Sequence, residues 1–331
     1  MKIKVLGCMG GRIPGQELTG LLVDGELLLD AGSASVSLTI TEQNQIKFLI
    51  LSHAHLDHLY GLAFLLEHRL YADIQEPLKI FASSEAIEIV KNDFLLDEIL
   101  NPAVIQNLER LVILSVLEPG KSYEVGKYKV EPVLVNHFSG PLGFFVSEGD
   151  SQFLFSSDTG PSETLWEQLK AHSECQLLIT EVSFPNRLEE VARLSRHLTP
   201  LLLKEELTKA QIQNQVIYLY HLKPGYLDLL FQELSEIFEF DLHLLKLGME
   251  LDLDVLLKKP RGAEALPSES AHRKVPKFDF SKDLYEQRQS IEREFGVSFE
   301  QGVIIFEEGE LGRHLYIIQE GEVEIYRIIL G

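Results

Sequence analysis

The chain has 331 residues, of which 45% are hydrophobic and 24% are charged, and its mean hydropathy is +0.03. This composition is typical of a soluble globular protein, and the length allows one large domain with a further module. No apolar run approaches the roughly 20 residues of a membrane span. Residues 1–7, MKIKVLG, predict a strand rather than a signal peptide. We therefore expect a cytoplasmic protein with no membrane partner.

The net charge is −21 and the pI is about 4.9, and the chain contains no run of Lys or Arg. Because such a protein repels a polyphosphate backbone, polymeric nucleic acid is not expected as a partner. A small anionic ligand is compatible with this charge, because divalent cations bound in a site outweigh the negative field of the protein locally. The two cysteines, Cys8 and Cys175, predict neither a disulfide framework nor a thiolate zinc site. Any metal must then be held by histidine and carboxylate groups.

Predicted strands and helices alternate along the first 250 residues. Strand patterns occupy residues 1–7, 20–32 as a hairpin, 46–52, 111–120, 121–137 and 143–158. Helical patterns occupy residues 56–70, 84–96, 162–172, 200–210 and 226–238. Helices that alternate with strands and hairpins predict an α/β (α+β) fold, in which two sheets pack face to face and helices cover them.

The amino-acid composition changes after residue 254. Residues 255–277 are rich in Lys, Pro, Ser and Gly without apolar periodicity, which predicts an exposed linker. Residues 278–331 begin with a helical pattern and continue as alternating strands separated by glycines. The predicted organisation is therefore a main domain over 1–254, a linker over 255–277 and a small β module over 278–331.

The segment SHAHLDH, residues 52–58, places His53, His55, Asp57 and His58 between an apolar strand and an apolar helix. Four nitrogen and oxygen donors leaving one strand end suit Zn²⁺, Mn²⁺ or Fe²⁺ better than Ca²⁺. The alternative for this segment alone is a polar loop with surface histidines.

Three further residues, His137, Asp158 and His221, each follow an apolar run at a predicted strand end. A single histidine in that position is more often structural than a metal ligand. Strand ends hold side chains rigidly, and all three runs can converge on one rim of a sheet. Together with SHAHLDH, they predict a dinuclear metal site.

This order of residues resembles the metallo-β-lactamase superfamily over about residues 1–250. The resemblance implies an αββα sandwich with two divalent metal ions, Zn²⁺ being expected and Mn²⁺ or Fe the alternatives. Aspartate rather than cysteine at 158 resembles the members that act on phosphoesters, and it argues against a β-lactamase. The implied ligands are His53, His55 and His137 for the first metal and Asp57, His58 and His221 for the second, with Asp158 bridging them.

Further features resemble the class II cyclic-nucleotide phosphodiesterases. These are Glu181 and Phe184 in TEVSFPN, His197 in SRHLTP, and Gly10 and Gly11 in GCMGG. Glu181, Phe184 and the two glycines are then candidate pocket residues. The alternatives are that His197 is a polar residue at a helix start and that the glycines are turn residues.

The resemblance implies a phosphodiesterase that hydrolyses a 3′,5′-cyclic mononucleotide, cAMP or cGMP, to the 5′-monophosphate by attack of a hydroxide bridging the metals. Asp57 and Asp158 would fix the metals and orient the hydroxide, and His197 would clamp the phosphate or protonate the leaving ribose oxygen. Two alternatives remain open: another hydrolase of this fold, acting on a different phosphoester or a thioester, and a dimetal sensor or regulatory protein. Ribonuclease Z shares the motif but would require a basic surface.

The C-terminal module resembles the first strands of a cyclic-nucleotide-binding domain, with Gly302, Gly309 and Gly321 between alternating apolar residues. The chain stops before the part that holds the cyclic phosphate in that family. We expect a partial β-roll that packs or dimerises without binding a ligand, and a homodimer is therefore an open alternative to a monomer.

Overall fold

The computed structural model describes residues 1–212, 215–237 and 239–258. The predicted module over 278–331 and most of the predicted linker lie outside the described residues, so that division of the chain stays a prediction. None of the helices in the described ranges has the length and apolar character needed to cross a membrane.

Two mixed sheets form the centre of the molecule, each with seven strands among the described residues. In spatial order, the first sheet contains β14 (Glu250–Asp252), β1 (Lys2–Gly7), β2 (Gly20–Val23), β3 (Leu27–Leu29), β4 (Phe48–Ile50), β5 (Leu78–Ala82) and β6 (Val112–Val116). The second sheet contains β13 (Leu242–Leu244), β12 (Val216–Tyr220), β11 (Leu177–Glu181), β10 (Ser151–Phe155), β9 (Leu142–Glu148), β8 (Tyr128–Leu134) and β7 (Tyr123–Val125).

Helices accompany both sheets. Those of the first half are α1 (Ala34–Ser37), α2 (Ile40–Gln45), α3 (Leu56–Tyr71), α4 (Ser84–Ile89), α5 (Pro102–Gln106) and α6 (Leu108–Leu111). Those of the second half are α7 (Glu163–Ala171), α8 (Glu189–Ser195), α9 (Pro200–Lys209), α10 (Leu227–Ser235) and α11 (Leu253–Lys258). Short 3₁₀ turns cover Asn186–Leu188 and Pro224–Tyr226.

The apolar core lies in two places. The larger cluster fills the space between the sheets, where Ile3, Leu29 and Ile50 of the first sheet meet Phe144 and Phe155 of the second, all fully buried. The smaller cluster packs the helices of the first half against the outer face of the first sheet. The predicted αββα metallo-β-lactamase sandwich is confirmed.

Most predicted elements are present with boundaries shifted by a few residues. The helix predicted over 84–96 is the exception, because α4 ends at Ile89 and the chain continues as a π-helical turn over Val90–Phe94. The helix predicted over 226–238 is observed only as Leu227–Ser235.

The carboxyl ends of six strands meet at one edge of the sandwich. β3 and β4 are parallel neighbours in the first sheet, and β10, β11 and β12 are parallel neighbours in the second. β8 runs in the same direction as β10, because each pairs antiparallel with β9. Loops leaving these six ends therefore share one rim, which is the place where α/β folds position functional side chains.

Candidate dinuclear metal site

The first group of donors comes from the loops after β4 and β8. His55 Nδ1 lies 3.1 Å from His53 Nε2 and 3.1 Å from His137 Nε2. The three ring nitrogens thus surround one point, although His137 is about 80 residues away in the sequence. The SHAH stretch, residues 52–55, brings its two histidines together because the chain stays extended until α3 begins at Leu56.

The second group comes from the start of α3 and the end of β12. His221 Nε2 lies 3.2 Å from Asp57 Oδ2, and His58 Nε2 lies 3.9 Å from the same oxygen. Asp57 is in the first turn of α3 and His58 is fully buried.

Asp158 stands between the two groups. Its Oδ2 lies 3.0 Å from His221 Nε2, 3.2 Å from His58 Nε2 and 3.8 Å from His53 Nε2. One oxygen atom is therefore adjacent to donors of both groups. The structure brings together all seven residues for which the sequence predicted metal binding.

The Nδ1 atoms of His53 and His58 face away from the centre, and Asp30 holds both of them. It holds His58 directly and His53 through Ser52. His58 Nδ1 donates to Asp30 Oδ2 at 2.8 Å, and the Ser52 hydroxyl donates to the same oxygen at 2.7 Å. Because the Ser52 proton is used in this way, Ser52 Oγ accepts from His53 Nδ1 at 3.0 Å. Both rings consequently present Nε2 to the centre, as outer hydrogen bonds do for metal-binding histidines.

The other two outward nitrogens are held from the second sheet. His137 Nδ1 donates to the backbone oxygen of Arg196 at 2.9 Å. Ser183 Oγ donates to Glu181 Oε2 at 2.8 Å and so accepts from His221 Nδ1 at 2.9 Å. His137 and His221 also present Nε2 to the centre.

The electrostatics of the two groups differ. Burial lowers the pKa of His53 well below its ordinary value and that of His137 to about 4. Burial also opposes charge on His58, but the carboxylates of Asp158, Asp30 and Asp57 outweigh it and raise its pKa well above the usual range. The second group therefore attracts positive charge, while the first offers neutral nitrogen lone pairs.

These residues fit divalent metal ions. Donors bound at about 2.0–2.2 Å around a tetrahedral ion are about 3.4 Å apart. The four separations given above range from 3.1 to 3.9 Å, and all ligand atoms within each group lie within 4.8 Å of one another. Three imidazole nitrogens that converge without enough protons to pair them repel one another, and a cation removes that repulsion. A mixed imidazole and carboxylate donor set suits zinc, manganese or iron better than calcium.

His197 lies beside both groups without belonging to either. Its ring centroid is 4.8 Å from that of His137 and 5.1 Å from that of His221. His197 Nδ1 donates to Glu181 Oε1 at 2.8 Å, which leaves Nε2 as its available atom. Glu181 itself is fully buried behind His197, so it supports this histidine instead of lining open space.

The glycine loop after β1 contacts the second group directly. A Cβ atom on Gly10 would lie 2.7 Å from the His221 ring, whereas one on Gly11 would lie 3.1 Å from Pro224. Phe184 stands on the far side of His197, with its ring centroid 5.8 Å away. Of the predicted pocket residues, Gly10 and Phe184 therefore lie beside the site, Gly10 by close backbone approach, whereas Gly11 approaches Pro224.

Several residues of this rim adopt unusual backbone angles. Asp30, Ser157, Arg196 and His221 all have φ between +55° and +65° without being glycine. Left-handed conformations of this kind are disfavoured and collect at functional sites.

Sequence reasoning did not identify Asp30 or Ser183. Asp30 accepts three hydrogen bonds, from the Ser52 amide, the Ser52 hydroxyl and His58. Asp30 follows the apolar run LLL of β3, which is the same strand-end context that identified Asp158. Ser183 has no comparable signal, because a serine two residues after a glutamate is common.

The fold and this site define the class of the chain as a protein of the metallo-β-lactamase fold with a candidate dinuclear metal site. Residues 20–234 match the family described as Anti-Pycsar protein Apyc1, and the chain belongs to this family.

Curated relatives carry two kinds of name. A probable 3′,5′-cyclic-nucleotide phosphodiesterase of Yersinia pestis is 24% identical over 245 residues, covering 65% of this chain and 66% of the relative. A ribonuclease Z of Treponema denticola is 26% identical over 183 residues, covering 51% of this chain and 57% of the relative. A 3′,5′-cyclic-nucleotide phosphodiesterase of Aliivibrio fischeri is 28% identical over 256 residues, covering 63% and 75%. The matched regions thus span less than two thirds of the first two relatives.

Solved structures share the fold at low sequence identity. Yeast PDE1 superposes with a TM-score of 0.63 at 16% identity, covering 76% of this chain and 99% of that one. The metallo-β-lactamase fold protein YhfI from Bacillus subtilis gives a TM-score of 0.61 at 19% identity, covering 76% and 98%.

Proposed function

We propose that this chain is a phosphodiesterase that uses two divalent metal ions to hydrolyse 3′,5′-cyclic mononucleotides to 5′-monophosphates. The observation that carries the proposal is the His197–Glu181 pair beside seven converging metal donors. A proton donor next to such donors suits cleavage of a phosphoester with a poor leaving group. Two of the named relatives support the same substrate class.

Each residue of the site has a distinct part in this reaction. Two bound metal ions would supply a nucleophilic water of lowered pKa and neutralise the phosphoryl oxygens. Asp158 and Asp57 would hold these ions at a fixed separation. His197 Nε2 would donate a proton to the ribose 3′ oxygen as the bond from phosphorus to that oxygen breaks.

Glu181 would hold His197 in the orientation that proton transfer requires. Its carboxylate accepts from His197 Nδ1 at 2.8 Å and from the Thr159 amide at 3.2 Å, so the ring is held in one orientation.

The proposal is tested with protein loaded separately with Zn²⁺, Mn²⁺ and Fe²⁺ and assayed on a panel of substrates. The panel contains purine and pyrimidine 3′,5′-cyclic mononucleotides, bis-p-nitrophenyl phosphate, a thioester and a structured RNA. We expect the 5′-monophosphate as the product and the highest kcat/KM for a cyclic mononucleotide. Cleavage of the thioester alone, or of no substrate by fully loaded protein, would refute it.

A variant pair separates chemistry from metal binding. His197→Ala is expected to lower kcat by about 10²- to 10⁴-fold with the metal content unchanged. The matched control is His172→Ala, a histidine that stacks on Phe145 away from the site. Full activity of His197→Ala would remove this residue from the mechanism.

Ribonuclease activity is the second candidate, because relatives from Treponema species carry the name ribonuclease Z. The net charge of −21 disfavours a long polyanion. The RNA arm of the panel decides between the two: a kcat/KM for structured RNA above that of every cyclic mononucleotide would favour the ribonuclease.

A further inference from the structure

An aromatic ring and a guanidinium group lie stacked beside the first donor group. Arg196 Cζ lies 4.0 Å from the centroid of the Phe138 ring. Phe138 directly follows His137, and the two ring centroids are 5.7 Å apart. This Phe138–Arg196 stack is therefore one side chain away from the proposed reaction centre.

The stack is fixed to the site by two reciprocal hydrogen bonds. His137 Nδ1 donates to the Arg196 backbone oxygen at 2.9 Å, and Arg196 Nη1 donates to the His137 backbone oxygen at 2.7 Å. Arg196 adopts its left-handed backbone conformation at this point and is followed directly by His197. Any group resting on the stack is consequently held in a defined position relative to both histidines.

Arg196 has no carboxylate partner within ion-pair distance among the described residues. Lysines and arginines elsewhere, such as Lys4, Lys127 and Arg193, are within 3 Å of a carboxylate oxygen. The guanidinium has five N–H donors, and the hydrogen bond to His137 uses one of them. Its remaining donors can serve a ligand.

Phe138 also presents part of its ring to solvent beside the proposed reaction centre. The side chain is 39% accessible, and Leu194, which lies two residues before Arg196, is 80% accessible. Apolar surface next to a functional site commonly marks where a ligand packs.

Phe184 on the other side of His197 is a poorer platform. It is half-buried, its ring packs against both His197 and Tyr226, and Lys223 Nζ lies 6.0 Å from its centroid. Its surroundings leave less free ring surface than Phe138 offers.

We propose that the Phe138–Arg196 stack receives the nucleobase of the substrate and so determines which phosphoesters are cleaved efficiently. This inference rests on the proposed function, since a cyclic mononucleotide carries a planar base next to its phosphate. The base lies against the exposed part of the stack, and the remaining guanidinium donors face acceptors on its edge. Stacking of this kind tolerates any base, because every base has a π face.

The test compares substrates with and without a base. Phe138→Ala, Phe138→Tyr and the parent are assayed on a 3′,5′-cyclic mononucleotide and on the 3′,5′-cyclic phosphate of methyl riboside, which lacks a base. We expect Phe138→Ala to lower the ratio of the two kcat/KM values by about 10- to 100-fold, the effect of losing one stacked base, chiefly through KM. Phe138→Tyr should retain the ratio. Tyr71→Ala, which removes a ring that is 67% exposed on α3, is the matched control.

A binding measurement keeps the inference independent of turnover. Calorimetry on each metal-loaded variant gives the dissociation constant of ribose 5-phosphate divided by that of a nucleoside 5′-monophosphate, a ratio that falls when the base loses its contact. If no cyclic nucleotide is cleaved but this ratio still falls in Phe138→Ala, the proposed reaction fails while the base platform stands. An equal loss on both ligands, an unchanged ratio, or a ratio that falls in Phe184→Ala instead would overturn the platform.

Discussion

At the scale of single residues, the site depends on how each donor is aimed. Four histidines give their Nδ1 to Ser52, Asp30, Arg196 or Ser183 and present Nε2 to the centre. These partners lie in the loops after β3, β4 and β11 and at the end of α8. Removing one donor should therefore affect metal binding before it affects folding.

Asp158 is the residue whose loss should affect both donor groups. Asp158→Ala removes the oxygen that lies 3.0–3.8 Å from His221, His58 and His53. Elemental analysis of Asp158→Ala is expected to find at most about half as much bound metal per chain as in the parent, because both donor groups lose the carboxylate that they share. The control is Asp150→Ala in an exposed turn, and a parent-like metal content in Asp158→Ala would contradict the assigned role.

Gly10 should tolerate no side chain. Gly10→Ala places a Cβ 2.7 Å from the His221 ring, so the ring or the loop must shift. We expect metal affinity to fall by about 10- to 100-fold, the range found when the support of a metal ligand is disturbed. Gly225→Ala meets no atom within 4 Å and is the control. Equal affinities in the two variants would show that Gly10 does not constrain His221.

At the scale of elements, α3 carries two donors and its position is set by a close approach to the loop after β3. Gly61 N donates to the Ala31 backbone oxygen at 2.9 Å, and a Cβ on Gly61 would lie 2.3 Å from that oxygen. The start of α3, with Asp57 and His58, is therefore positioned by a glycine one turn further along.

Gly61→Ala tests this contact. Overpacking by the added methyl group should destabilise the fold by about 3 kcal/mol, whereas the higher helix propensity of alanine should stabilise it by about 1 kcal/mol. The free energy of unfolding measured in urea should therefore fall by about 2 kcal/mol. Phe64→Ala, at an exposed position of the same helix, should change the free energy of unfolding by less than about 0.5 kcal/mol. A stabilised Gly61→Ala would mean that propensity outweighs the contact.

The sequence predicted the sandwich and the donor set because both leave local patterns. Apolar runs of strand length ended in His137, Asp158 and His221, and parallel strand ends bring such residues to one edge. The extent of the π-helical turn after Ile89 was not predictable, since apolar periodicity does not distinguish it from α-helix. Asp30 and Ser183 were missed because their importance depends on which ring lies opposite them, and that is set by tertiary structure.

At the scale of the whole molecule, we expect the donor set to couple metal binding to stability. In the metal-free fold, nitrogen lone pairs that face one another repel, and this repulsion lowers the free energy of unfolding. A cation that binds only the folded state offsets that loss.

Metal removal should therefore lower the thermal midpoint. Free metal at 100 times the Kd stabilises the fold by about 2.7 kcal/mol per site, which corresponds to a rise of about 5–10 °C. Scanning fluorimetry of chelator-treated protein, with and without added Zn²⁺ or Mn²⁺, measures this rise. Asp158→Ala should show less than half of it, and an identical rise in both proteins would place the ions elsewhere.

The most direct measurement is anomalous diffraction from crystals of metal-loaded protein. The account predicts two peaks per chain, one among His53, His55 and His137 and one among Asp57, His58 and His221, with Asp158 touching both. A single peak, or peaks remote from these side chains in fully loaded protein, would contradict it.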